Sequence, residues 1–142
     1  MELTFEDGEI ICQEGENSTD LFMLKEGSVL ICTIHGTEVK AIGRISPGEF
    51  IGELSFFDGN PRASTIVALG KTVIHKLDGE EIRNQLPFWF IEAGKSLTKK
   101  IRLLDKIINT SHLRKSGTED QKPLTIEEQR KILQRLKTNN VK

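Results

Sequence analysis

The feature that most constrains this chain is the rhythm of residues 5–80. Short runs of apolar residues alternate there with turn residues at close, regular intervals. Ile10-Ile11-Cys12 gives way to Glu14-Gly15-Glu16-Asn17-Ser18, and Leu21-Phe22-Met23-Leu24 to Lys25-Glu26-Gly27-Ser28. Val29 to Ile34 ends at His35-Gly36, and Val39 to Ile45 at Ser46-Pro47-Gly48. Ser64 to Leu69 ends at Gly70-Lys71, and Val73 to Leu77 at Asp78-Gly79. Strands this short, punctuated this often, pair as antiparallel neighbours, because the connections leave no room for the crossovers of a parallel sheet. The expectation is an α+β chain built on an eight-stranded antiparallel β jelly roll with helical C-terminal elements.

The period changes after residue 80. Phe90, Gly94, Leu97, Ile101, Leu104 and Ile108 are spaced 4, 3, 4, 3 and 4, which is a helical seam close to an a/d pattern. Pro87 should break this long helix from a short one over 79–85. Residues 111–123 are polar, contain Gly117 and Pro123, and read as a linker. A last helix follows over 125–137, with Thr125 and Glu128 at capping-box spacing and a thin stripe of Ile126, Ile132, Leu133 and Leu136. The domain expectation is therefore a body and lid helix over 1–110, a linker over 111–123, and a basic helical tail over 124–142.

Net charge is −1, but the total hides a division. Residues 1–94 carry 7 Lys and Arg against 16 Asp and Glu, and residues 95–142 carry 13 against 5. An acidic body and a basic C-terminal arm imply two functional regions. The longest apolar run, Leu86 to Ile91, is far too short to span a bilayer. The acidic N-terminus lacks the basic-then-apolar pattern of an export signal, so the expectation is a cytoplasmic protein in which Cys12 and Cys32 stay reduced. His35, His75 and His112 stand apart, without the clustered spacing that metal ligation requires. That spacing also argues against a metal-dependent jelly-roll enzyme. With no Walker loop or nucleophile elbow either, the chain is expected not to be an enzyme.

Residues 47–65 hold the densest chemistry. Physically they describe a glycine turn, a short apolar helix, a second turn, and an arginine at the mouth of a strand. Gly52 lets a ligand approach the backbone. Amides near Leu54 and Ser55 would face an anion. Arg62 offers a fork suited to phosphate oxygens, and Glu53 can accept hydrogen bonds from a sugar hydroxyl. Together these residues describe a site for one phosphate and one ribose.

Gly52-Glu53-Leu54-Ser55 through Pro61-Arg62-Ala63-Ser64-Thr65 resembles the phosphate-binding cassette of cyclic nucleotide-binding domains. That family includes the catabolite activator protein, protein kinase A regulatory subunits and cyclic-nucleotide-gated channels. Asp20 to Gly27 resembles its second signature, and the chain reads as a single-domain, bacterial-like member. The resemblance implies that Arg62 pairs with the cyclic phosphate and Glu53 with the ribose 2′-hydroxyl. The amides of Leu54, Ser55 and Ala63 would complete the cradle, and Ser64 would contact phosphate or base. Ala63 stands where cGMP-selective members carry threonine, which favours cAMP over cGMP. The C-terminal helix would close over the base with Leu103, Leu104, Ile107 and Ile108.

The function expected is that of a non-catalytic cAMP sensor that passes ligand binding through its C-terminal helix to a protein partner. Homodimerisation would run through Phe90, Leu97, Ile101, Leu104 and Ile108. No cofactor or metal is expected. The competing reading is a truncated or atypical transcription regulator of the catabolite activator kind. About 34 residues after Ile108, with one convincing helix, argue against it and against DNA as a partner. The same division predicts that removing 111–142 leaves nucleotide affinity nearly intact.

Overall fold

The computed structural model describes residues 1–111 and 124–140. His112 and almost all of the stretch read as a linker lie outside the described residues. Among those described are six strands and four helices. In chain order these are β1 (Glu2–Phe5), β2 (Ile10–Cys12), β3 (Leu21–His35), β4 (Glu38–Ile45), β5 (Phe50–Ile51), α1 (Glu53–Asp58), β6 (Thr65–Leu77), α2 (Gly79–Gln85), α3 (Phe88–Ser111) and α4 (Ile126–Asn140).

The α+β class stands, but the eight strands expected become six. Pairing runs β1-β6-β3-β4, with β2 also on β6 and β5 on β3, all antiparallel. As paired, this path is open and has six strands rather than eight. The difference comes from two glycine signals read as chain reversals. Lys25-Glu26-Gly27-Ser28 and Gly70-Lys71 lie inside continuous strands, opposite each other. The β3–β6 ladder runs from Leu21↔Leu77 to Cys32↔Thr65, slipping register on either side of Glu26. These are bulges, which bend a strand without ending it. Gly27 is required there, because its φ is 92° and a Cβ would come within 2.6 Å of the Lys71 carbonyl oxygen.

The long ladder places apolar residues on both faces. On one face, Cys12, Phe22, Leu24, Val29, Ile45, Ile51, Ile66 and Ile74 form a buried cluster. The alternate residues Leu30, Cys32, Val39 and Val67 form a second cluster on the other. That second face is covered by α4, whose Ile132 and Leu136, with Leu124 just before it, complete the cluster. The helix expected as a tail beyond the domain thus packs on the sheet. Of its predicted stripe, Ile132 and Leu136 are buried, Leu133 is half-buried and Ile126 is exposed. Gln129 Oε1 accepts the Val39 backbone N–H at 3.0 Å, satisfying a donor on edge strand β4. Lys131 pairs with Asp7. Thr125 caps the start of α4, with the Glu128 N–H donating to Thr125 Oγ1 at 3.2 Å.

Asp78 caps α2, its Oδ1 accepting from the N–H groups of Glu80 and Glu81, both at 3.0 Å. Pro87 then separates α2 from α3 where the sequence places the break. Both cysteines are free and buried, and burial pushes each thiol up to about 12. Among the described residues, no helix is long and apolar enough to cross a membrane.

Candidate functional site

Strand β5 ends at Gly52, which turns the chain into α1 with φ 90° and ψ 16°. This left-handed turn suits glycine, and a Cβ here would collide with Arg62 Nη1. The Gly52 carbonyl oxygen accepts from the Phe56 N–H at 3.1 Å and from Arg62 Nη1 at 3.0 Å. Gly52→Ala should therefore cost stability by about 1–3 kcal/mol through strain at a position held by its surroundings and displace the arginine. Thermal melts paired with nucleotide titration would check this, with a wild-type melt as the contrary result.

Arg62 is 5% exposed. Its Nη2 donates to the Asp20 carbonyl oxygen at 2.6 Å and to Ser18 Oγ at 3.2 Å. The guanidinium stands 5.6 Å from the Phe22 ring centroid. Its own backbone is tied to the β2–β3 loop, through Gly15 N–H to Arg62 O at 2.8 Å and Arg62 N–H to Glu16 O at 2.9 Å. Among the described residues no carboxylate pairs with it, and its Nε is buried with no acceptor. A buried cation held by neutral oxygens, with a donor left over, is a poor arrangement for a surface ion pair. It is a good one for an anion that arrives from outside.

The seven residues expected at the site, Gly52, Glu53, Leu54, Ser55, Arg62, Ala63 and Ser64, all line one cavity of about 310 Å³, near the lower end of small-molecule sites. The first-turn amides of α1 have no acceptor within the helix. Glu53 is exposed as a residue, yet desolvation raises the pKa of its carboxyl, with Glu49 adding to the rise and Arg62 opposing it. Missed in the sequence were the apolar wall, with Cys12, Ile31, Ile45, Ile51 and Ile66, and the anchoring of Arg62 by Ser18 and Asp20. The wall residues share one face of the ladder, a signal that the strand pattern carried. A larger groove of about 670 Å³ runs beside α4, past Glu38, Arg130 and Lys137. Its charged walls are exposed, so the chemistry favours the smaller cavity.

The structure does not bring the expected lid residues together with the rest of the site. Leu103, Leu104, Ile107 and Ile108 do not line the cavity and are 57, 58, 50 and 37% exposed. Helix α3 instead presents Ile101, Arg102 and Asp105 to it. Among its described side chains, the buried positions of the helix are Ile91, Gly94 and Thr98. Continuing that face at helical spacing leads to Arg102 and Asp105, so polar groups meet the cavity and the aliphatic stripe faces outward.

A sheet that holds a buried arginine beside a short helix, with a second helix across the opening, defines a small-anion binding module. Residues 2–86 match the family model of the cyclic nucleotide-binding domain, and the chain belongs to that family. It is 31% identical over 65 residues to a cAMP-dependent protein kinase regulatory subunit of Mycosarcoma maydis, a match covering 46% of this chain and 12% of that one. Among solved structures it resembles the cAMP-bound form of the EAL enzyme Bd1971, with TM-score 0.68, 19% identity, and coverage of 78% of this chain and 30% of that one. It also resembles the catabolite activator protein of Thermus thermophilus, with TM-score 0.60, 22% identity, and coverage of 80% and 54%. The chain thus spans well under two-thirds of the length of these proteins, and at such identities the structural likeness concerns the fold.

Proposed function

We propose that this protein is a non-catalytic cyclic nucleotide sensor with cAMP as its ligand. The observation that carries the reading is Arg62, buried in the cassette cavity with no carboxylate partner among the described residues and with its Nε unsatisfied. A cyclic phosphate supplies the missing charge and acceptor. Glu53, at the same cavity, would hold the ribose hydroxyl, and Ala63 in place of threonine supports cAMP over cGMP. The match to a cAMP-dependent protein kinase regulatory subunit supports the same ligand and a regulatory role. A thermal-shift panel of cAMP, cGMP and cyclic dinucleotides tests the reading. The expected result is stabilisation by cAMP above all, and no shift at millimolar ligand would overturn it.

Signal would leave through α3, whose exposed apolar residues include Phe90, Leu97, Leu104 and Ile108, with Ile101 at the border between this stripe and the cavity. An apolar a/d stripe of this length on a monomer's surface fits a second copy of the same helix in a two-fold contact. Leu97→Glu with Leu104→Glu, both exposed and away from the cavity lining, should turn a dimer into a monomer in light scattering after gel filtration. A wild-type protein that is already monomeric at high concentration would refute the contact.

A further inference from the structure

Helices α1 and α3 are fastened at two places. Near the start of α3, Gly94 packs directly on the Phe57 ring, and Phe90 leans on the same ring with centroids 6.0 Å apart. Two turns further on, Arg102 reaches to the end of α1. Its Nε donates to Asp58 Oδ2 at 2.6 Å, and its Nη2 donates to Asp58 Oδ1 at 3.1 Å and to the Pro61 carbonyl oxygen at 3.4 Å. The pair is largely shielded, with side chains 24 and 14% exposed. Asp58 is itself fixed, accepting from the Asn60 backbone N–H at 2.9 Å and the Asn60 amide at 3.1 Å. The carboxylate therefore belongs to the turn that delivers Arg62 to the cavity.

The two fastenings differ in kind. Ile91, Gly94 and Thr98 are buried, so packing holds the first half of α3. From Lys99 through Ile108 no side chain is buried, although this half of the helix lies across the cavity through Ile101, Arg102 and Asp105. We propose that Arg102 is a positioning residue, whose paired hydrogen bonds to Asp58 latch the second half of α3 across the cavity, so that the latch must open before a ligand can pass in either direction. The proposal rests on the nucleotide reading of the cavity. A fork of two charge-assisted bonds suits this role, because it is directional and is lost as a unit. An open latch costs far less than unpacking the Gly94 contact, so α3 would pivot beyond Thr98 and leave its first half in place.

The test is kinetic, with stopped-flow mixing of a fluorescent cAMP analogue and hydrogen exchange of the ligand-free protein. Asp58→Asn is the main variant. It weakens the latch while keeping the Arg102 charge and an acceptor for Asn60. Association and dissociation should both rise, by about threefold or more, in keeping with the modest worth of a partly exposed ion pair. Amides of residues 99–108 should exchange faster while those of residues 88–96 do not. Removing an acid near an anionic ligand would by itself raise association and slow dissociation, so joint acceleration separates a latch from simple electrostatics. Arg102→Lys keeps the cation without the fork and should fall between wild type and Arg102→Ala in exchange. Unchanged exchange over 99–108 in both Asp58→Asn and Arg102→Ala would overturn the latch, as would faster association with dissociation unchanged or slowed. If the wild type binds no cyclic nucleotide, the functional reading falls, and the exchange comparison still decides the latch.

Discussion

Arg62→Ala should weaken cyclic nucleotide binding by on the order of 2–5 kcal/mol, the range for truncating one partner of a buried charged pair. In titration calorimetry that is the difference between a well-defined isotherm and no measurable heat. The effect is large because one side chain serves both states. Without ligand, Arg62 Nη1 and Nη2 are held by the carbonyl oxygens of Gly52 and Asp20 and by Ser18 Oγ, while Nε has no acceptor. These neutral acceptors fix the guanidinium while leaving its charge uncompensated. A bound phosphate would then meet a donor already in place, with little reorganisation to oppose binding. Arg62→Lys discriminates charge from shape. It retains the cation but cannot span Gly52, Ser18 and Asp20 from one planar group, so it should recover only part of the affinity. An affinity unchanged in Arg62→Ala would remove the residue from the site altogether.

The cassette was legible because it is local. Gly52 to Ser64 are contiguous, and each contributes through its backbone or a short reach, so their order in the chain is nearly their order in space. The orientation of α3 was not legible. Its seam of Phe90, Leu97, Ile101, Leu104 and Ile108 is more regular than the face that packs, since Gly94, Thr98, Arg102 and Asp105 carry no apolar signature. Periodicity finds the apolar side of a helix, and this helix turns a polar side toward a ligand cavity. The count of strands failed for a different reason. Gly27 and Gly70 supply the same left-handed backbone whether a chain reverses or bulges, and only pairing across β3 and β6 distinguishes the two. The run Val29-Leu30-Ile31-Cys32-Thr33-Ile34 did carry unused information. It is apolar without alternation, the mark of a strand covered on both faces, and it called for a cover that the first 110 residues do not provide.

That cover is α4, and removing residues 124–142 should destabilise the whole domain, contrary to the expectation that the sensor stops near residue 110. Leu124, Ile132 and Leu136 complete a cluster in which Leu30, Cys32, Val39 and Val67 are 2% exposed or less. Leu30, Cys32 and Val67 alternate along β3 and β6 with Ile31 and Ile66 of the cavity wall, so the back of the cavity and the seat of α4 are two faces of one layer. Ile132→Ala or Leu136→Ala should each cost about 2–5 kcal/mol by loss of buried apolar contact and the cavity left behind. That range approaches the whole stability of a small domain. Truncation loses both side chains together, along with the Gln129 bond to Val39 N–H and the Lys131 pair with Asp7. Cys32 provides the local readout. Burial beneath α4 holds its thiol at about 12, so a disulfide reagent should label it slowly in full-length Cys12→Ala protein and many times faster after truncation. The melting temperature should fall in the same sample, and the apparent nucleotide affinity should fall with it, because ligand binding must then draw on a folded population that is no longer in excess. A truncated protein with the full-length melting point, an unreactive Cys32 and full affinity would show that the sheet needs no cover, and that α4 is a tail after all.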